Sequence, residues 1–312
     1  MAGLDLELSE QQALLRDAVA RLTSNVAQPG WQDLAELGLT ALTLPEEQGG
    51  FDGDRVDIAL VMAQLGPALA GADWLSHAAA TAILPANTGR AALVSHTTSA
   101  GMPQLQAGNR IEGTARLVFG GAEADLFVLA LSGQVYTVPR DAIGLSVEPG
   151  QLHDGSVVAD LHFNSVVAAP VAGDPAIADN LVKIGRCAEA VGLMQQMLAD
   201  TADYLGQRRQ FGAPIASFQA LRHRLADMQL AAMQAQALTE AAAVSGEPSD
   251  LLAACIAVRD AAKQVGEGAV QLHGAMGLTE ELRLGARFKR LLVIAAGLGS
   301  EGGLLAEFAA IA

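Results

Sequence analysis

Basic side chains, aromatics and cysteine are all scarce in this chain, and each shortage removes a class of function. Lys and Arg number 19 against 34 Asp and Glu, giving a formal charge of −15 and a pI near 4.7. So acidic a chain is no general nucleic-acid or anionic-membrane binder. Aromatics are 4% of 312 residues, so packing has to rest on Ala, Leu, Val and Gly. The two cysteines, Cys187 and Cys255, both fall in apolar helical stretches, where a buried free thiol is the ordinary outcome. They imply neither a disulfide framework nor a zinc site, and a cytoplasmic location is expected. No apolar run reaches the roughly 18 charge-free residues of a membrane span. The opening MAGLDLELSEQQ is acidic and lacks the apolar core of a signal peptide.

What the chain does have is length and apolar mass. With 51% hydrophobic residues it can bury a sizeable core, as two domains or as one large one. Ser9 and Gln12 stand at capping-box spacing, and Leu14, Leu15, Val19 and Leu22 follow at helical spacing. Further helices are expected over 31–44 with a break at Gly38, over 57–69 and over 74–84. Residues 1–95 therefore read as an N-terminal helical domain. From residue 96 the pattern changes to short runs such as LFVLAL, QVYTVP and VVADLHF, separated by Gly, Asp and Pro. These predict antiparallel strands in a small β middle domain over 96–172. Helical periodicity returns over 180–205, 217–245, 251–272 and 282–294, with a last helix over 300–312. Four long helices joined by short turns predict an antiparallel bundle, which sets the C-terminal domain at 173–312.

The basic residues that do occur are unevenly placed. Arg208, Arg209, Arg222 and Arg224 put four of them into YLGQRRQFGAPIASFQALRHRLADM, at a corner between two long helices. Guanidinium groups gathered there fit an anion, since each offers a planar fork of N–H donors. The spacing fits an ordinary charged corner equally well, because basic side chains favour helix C-termini.

The order helical, β, four-helix bundle, together with three motifs, resembles the acyl-CoA dehydrogenase family. RxQFGxPIxxFQxxxHxLADM, Arg208 to Met228, is similar to the signature after the first bundle helix. QLHGAMGLTEE, Gln271 to Glu281, is similar to a second, QxxGGxG, and LAELGLTALTLPEEQGG, Leu34 to Gly50, to a first-domain motif. The resemblance implies a mainly α fold with a β middle domain and an FAD flavoenzyme that forms α,β-double bonds in acyl-CoA thioesters. It also implies that Arg208, Gln210, Phe211, Gln219, Gln271, Gly274 and Ala275 contact the ADP half of a FAD held across a subunit interface. His223 and His273 read as packed or surface residues.

The departures from the family pattern are as informative. The family base is a glutamate that takes the α-proton as hydride moves to flavin N5. Counted from Gln271, that position is Leu298; the alternative position on the first bundle helix, counted from Val191, is Val182. Neither side chain can accept a proton, so no catalytic residue is assigned. Glu189 falls two turns beyond Val182. Glu280, Glu281 and Glu301 are carboxylates with ordinary surface or capping readings. No segment between Ser95 and Val171 matches the flavin- and thioester-reading stretch of the family, and the β-region is short. Base lost and cross-subunit motif kept is what the resemblance implies for the base-lacking subunit of a heteromeric (α2β2) bacterial acyl-CoA dehydrogenase, a group that includes enzymes of sterol side chains. The expected partners are a homologous catalytic subunit carrying most of the acyl-CoA site and an electron-transfer flavoprotein-type acceptor. A flavin-free structural or regulatory paralogue, and a homo-oligomeric enzyme with a displaced base, are the alternative readings.

Overall fold

The computed structural model describes residues 3–84, 89–210, 212–274 and 283–311. Helices α1 (Glu10–Asn25), α2 (Trp31–Glu36), α3 (Arg55–Leu65) and α4 (Ala72–Thr81) come first. Strands β1 (Ala91–Val94), β2 (Gln104–Gln106), β3 (Arg110–Phe119), β4 (Leu126–Leu131), β5 (Gln134–Pro139), β6 (Leu145–Gln151), β7 (Val157–Val167) and β8 (Ala169–Val171) follow. Then come α5 (Pro175–Gln207), the short strands β9 (Arg209–Gln210) and β10 (Ala213–Pro214), α6 (Gln219–Ser245), α7 (Pro248–His273), α8 (Leu284–Gly297) and α9 (Glu301–Ile311).

Contacts divide the chain into two compact units. One comprises Met1–Gln28, Arg55–Ala70 and Ile184–Ala312; the other comprises Pro29–Asp54 and Gly71–Lys183. In the first, α1 packs on α3, and α3 packs against the long C-terminal helices. Close approach is possible because Gly192 of α5 has no side chain: a Cβ there would stand 2.1 Å from the Ala63 carbonyl oxygen of α3. Cys187 of α5 and Cys255 of α7 are buried with their sulfurs 3.9 Å apart and form no disulfide.

In the second unit the strands form two four-stranded sheets, ordered β1-β4-β5-β8 and β2-β3-β7-β6. Their inner faces share one apolar cluster that includes Phe127, Leu129, Ile111, Leu161 and Phe163. All the pairings within these two sheets are antiparallel except β1 with β4, which run parallel. That one parallel pair follows from the order of the sheet, where β1 joins β4 across the excursion through β2 and β3.

Helix boundaries differ from the sequence reading where the chain's own capping chemistry decides them. The helix expected over 31–44 stops at Glu36 and continues as a single 3-10 turn, Leu39–Ala41, because Gly38 takes φ +81°. In α1 the capping box forms as the spacing predicts: the Gln12 amide donates to Ser9 Oγ at 3.2 Å, and the Ser9 amide donates to Gln12 Oε1 at 3.1 Å. The apolar face of that helix is narrower than its periodicity promised. Val19 is fully buried, whereas Leu14 is 61% exposed. Among the described residues no single helix is long and apolar enough to cross a membrane.

Candidate functional site

Helix α5 ends at Gln207, and the Arg208 amide still donates to the Tyr204 carbonyl at 2.9 Å. The chain then reverses in a two-strand hairpin in which Gln210 faces Ala213 and Arg209 faces Pro214. The reversal needs a left-handed residue, and Gly212 supplies it at φ +83°. The Ile215 amide closes back onto the Arg208 carbonyl at 2.8 Å, where the chain passes from α5 towards α6.

Helix α7 arrives at the same corner. Tyr204 of α5 stacks on His273 of α7 with ring centres 4.4 Å apart, and its hydroxyl donates to the His273 carbonyl at 3.4 Å. His273 is buried, its Nδ1 2.9 Å from the Ala269 carbonyl, so it is a packing residue. Arg224 of α6 donates to Gln271 Oε1 at 2.5 Å, joining the two predicted segments directly. Gly274 caps α7 at φ +62°, with open space where a Cβ would be. Arg222 turns its guanidinium back to the Ser217 carbonyl at 3.3 Å, and Arg209 to the Gly212 carbonyl at 3.2 Å.

Of the seven residues expected at a cofactor, Arg208, Gln210, Gln219, Gln271 and Gly274 are all exposed. Gln271 and Gly274 stand together at the end of α7, and Arg208 and Gln210 on the hairpin beside it. Gln219 opens α6 and contacts His223 at 3.4 Å, with no contact to the other four. Phe211 and Ala275 lie outside the described residues, as do Glu280 and Glu281. The corner thus gathers four arginines and an exposed helix end, with no described side chain within 4 Å of where a Cβ on Gly274 would stand. That donor set fits a diphosphate: forked N–H groups for the oxygens and bare backbone for close approach.

The two positions at which the family pattern would put a base are apolar and enclosed. Leu298, at the C-terminal end of α8, is 3% exposed, and Val182 in α5 is 1% exposed. Glu301 is exposed at the start of α9, beside Ser300, whose Oγ accepts from the Gly303 amide at 3.1 Å. It is a helix-start residue. Among the described residues no group of three or more His, Cys, Asp or Glu could hold a metal ion.

Sequence reasoning missed the buried charges of this unit. Glu189 is 1% exposed and takes a two-pronged bond from Arg290 of α8, Nε to Oε1 at 2.6 Å and Nη2 to Oε2 at 2.8 Å. One turn earlier on α5, Arg186 donates through Nη1 to the Gly297 carbonyl at 2.7 Å, next to Leu298. Burial, with Arg290 alongside, pulls the Arg186 guanidinium down to about 10, against the opposing pull of Glu189. Glu189 is therefore committed to a buried pair. The helical spacing of 186 and 189 put both on one face, but their partner on α8 is about a hundred residues away and left no local signal.

Comparison with known proteins agrees with this architecture. The profile described as Acyl-CoA dehydrogenase, C-terminal domain, matches residues 180–310, and that of the N-terminal domain matches residues 9–92. Acyl-CoA dehydrogenase IpdE2 of Mycobacterium tuberculosis is 31% identical over 301 residues, covering 90% of this chain and 91% of the relative. Acyl-CoA dehydrogenase FadE34 of the same organism is 30% identical over 300 residues, but these are only 42% of its length. Among solved structures, the ChsE4-ChsE5 complex from Mycobacterium tuberculosis superposes with a TM-score of 0.86 at 23% identity, over 98% of each chain. Butyryl-CoA dehydrogenase from Megasphaera elsdenii superposes at 0.79 with 20% identity, over 99% of each.

Proposed function

The chain belongs to the acyl-CoA dehydrogenase family, and on that premise we propose that it is a subunit that lends cofactor contacts to a catalytic homologue without supplying the base itself. The observation that carries this reading is the contrast between two parts of one unit. At the corner formed by the hairpin and the end of α7, Arg208, Gln271 and Gly274 are exposed and Arg224 is bonded to Gln271, while the base positions hold Leu298 and Val182. In this reading Arg208 and Gln210 bind the pyrophosphate and adenosine side of the partner's FAD. Arg224 orients Gln271 through its 2.5 Å bond, and the Gly274 backbone approaches the diphosphate. Bound FAD would supply the hydride acceptor for dehydrogenation of an acyl-CoA thioester, with electrons leaving to an electron-transfer flavoprotein-type acceptor. Proton removal falls to a carboxylate of the partner, since neither Leu298 nor Val182 has a basic atom.

An exposed apolar stripe on α6 supports docking of such a partner. Leu230, Met233 and Val244 are 65%, 54% and 60% exposed and lie at helical spacing on one stripe, continuous with the arginine corner at the helix start. The relative named as a two-protein complex, ChsE4-ChsE5, supports the same reading by its fold.

The test is co-expression with a full-length homologue that retains the glutamate. The complex should purify with flavin absorbance and oxidise acyl-CoA, and Arg208→Ala in this chain should lower flavin occupancy. A chain that alone binds FAD and turns over acyl-CoA would end the proposal. Absence of flavin from the complex would favour the structural paralogue instead.

A further inference from the structure

Within the first unit a cleft of 710 Å³ opens between α1, the N-terminal segment, the end of α3 and the start of α8. That volume lies in the range of small-molecule pockets. Its N-terminal wall is fixed to the bundle. The Gly3 amide donates to Gln195 Oε1 at 2.7 Å, Gln195 Nε2 returns to the Gly3 carbonyl at 2.9 Å, and the Asp5 amide donates to Glu240 at 2.6 Å.

Three guanidinium groups line the cleft, those of Arg16, Arg283 and Arg287, in a chain whose net charge is −15. Two of them are neutralised. Arg16 donates to Asp17 at 2.9 and 2.8 Å, and Arg287 to Asp200 at 2.5 Å and to the Pro67 carbonyl at 3.1 Å. Arg283 donates to the Ala27 carbonyl at 2.8 Å, which anchors it without cancelling its charge. It stands one turn from Arg287 on α8, close enough to add to the burial that lowers the proton affinity of Arg287. Among the described residues, one cation of this group therefore lacks a carboxylate. The other acidic residue of the lining, Asp5, is exposed, and it opposes a second negative charge on any ligand. Leu4, Ala20, Ala27, Pro67 and Ala68 supply the apolar part of the lining, beside the uncharged polar side chains of Thr23, Ser24, Gln64 and Gln196.

We propose that this cleft binds an amphipathic monoanion, a carboxylate carried on an apolar body, with its head on Arg283 and its chain along Leu4, Ala20, Pro67 and Ala68. A carboxylate matches the guanidinium fork, and an apolar body of moderate size gains from leaving water. The site uses none of the residues assigned to the flavin corner, so the two proposals stand or fall separately.

The experiment is calorimetric titration of the full chain with decanoate. Saturable one-to-one binding is expected, weakened by about tenfold or more in Arg283→Gln, the loss typical of one charge-assisted contact. Ala20→Phe fills the cleft without touching a charge and should abolish binding, while Arg208→Ala should bind as the parent chain does. If Ala20→Phe does not fold, as judged by circular dichroism, Arg283→Gln alone decides. The proposal is overturned by no binding, by unchanged binding in Arg283→Gln, or by decanol or inorganic phosphate binding as tightly as decanoate.

Discussion

Glu189 and Arg290 meet deep in the first unit, and the energetics of that meeting are lopsided. A buried ion pair adds little over an apolar pair of the same shape, but removing one partner strands the other charge out of water. Glu189→Ala should therefore cost about 3–5 kcal/mol, read from urea denaturation, because Arg290 and Arg186 would be left facing each other. The double change Glu189→Leu with Arg290→Leu should cost clearly less than the single one. His77 gives a second prediction at this scale. Burial lowers its proton affinity, outweighing the contact with the Thr40 carbonyl at 2.9 Å, which raises it. Nδ1 accepts the Ala91 amide, so Nε2 carries the proton donated to Thr40, and the ring is held neutral. A group whose folded value lies below its unfolded 6.5 keeps its stabilising contribution above that pH and loses it as pH falls below. Melting temperature should drop below about pH 6.5, and His77→Gln should flatten that part of the curve.

At the scale of elements, the contacts that set the site are backbone ones. Gly192 lets α5 lie against α3, and Gly192→Ala would push a methyl group into the Ala63 carbonyl. Neither side of that contact is a flexible side chain, so the helices must separate. A loss of about 1–3 kcal/mol is expected in chemical denaturation, as for other overpacked interiors. The hairpin is more local. Gly212→Ala forces a Cβ into the left-handed region at φ +83° with open space around it. It should cost roughly 1 kcal/mol in stability and more visibly loosen the placement of Arg208, read as lower flavin occupancy of the proposed complex. Much of this was legible beforehand. The capping box at Ser9, the long helices and the Gly-Pro corner are written within a few residues each. Leu14 and the parallel pairing of β1 with β4 were not, because both depend on what packs beside them from far along the chain.

For the whole molecule, the exposed stripe on α6 is the feature that most invites a partner. Leu230→Asp with Met233→Asp should leave the chain folded, since both side chains are more than half exposed. The same pair should prevent co-purification with a homologous catalytic subunit, measured by size-exclusion chromatography, if the stripe is the contact surface. An unchanged elution profile would move the interface elsewhere. Arg208→Ala and the α6 pair are expected to separate two losses, of flavin in the first and of the partner in the second.

The sequence alone determined the order of helices and strands, the arginine corner after α5 and the lack of a basic atom at positions 298 and 182. Those are properties of residue type and short spacing, and the chain carries them whatever its fold. Only the tertiary structure decided that Arg224 reaches Gln271, that Arg186 and Arg290 share the interior with Glu189, and that Arg283 is left facing a cleft. Each of these joins residues 47 to 256 positions apart. Partners at such separations meet because burial of the helical faces brings them together, and no local pattern encodes that meeting.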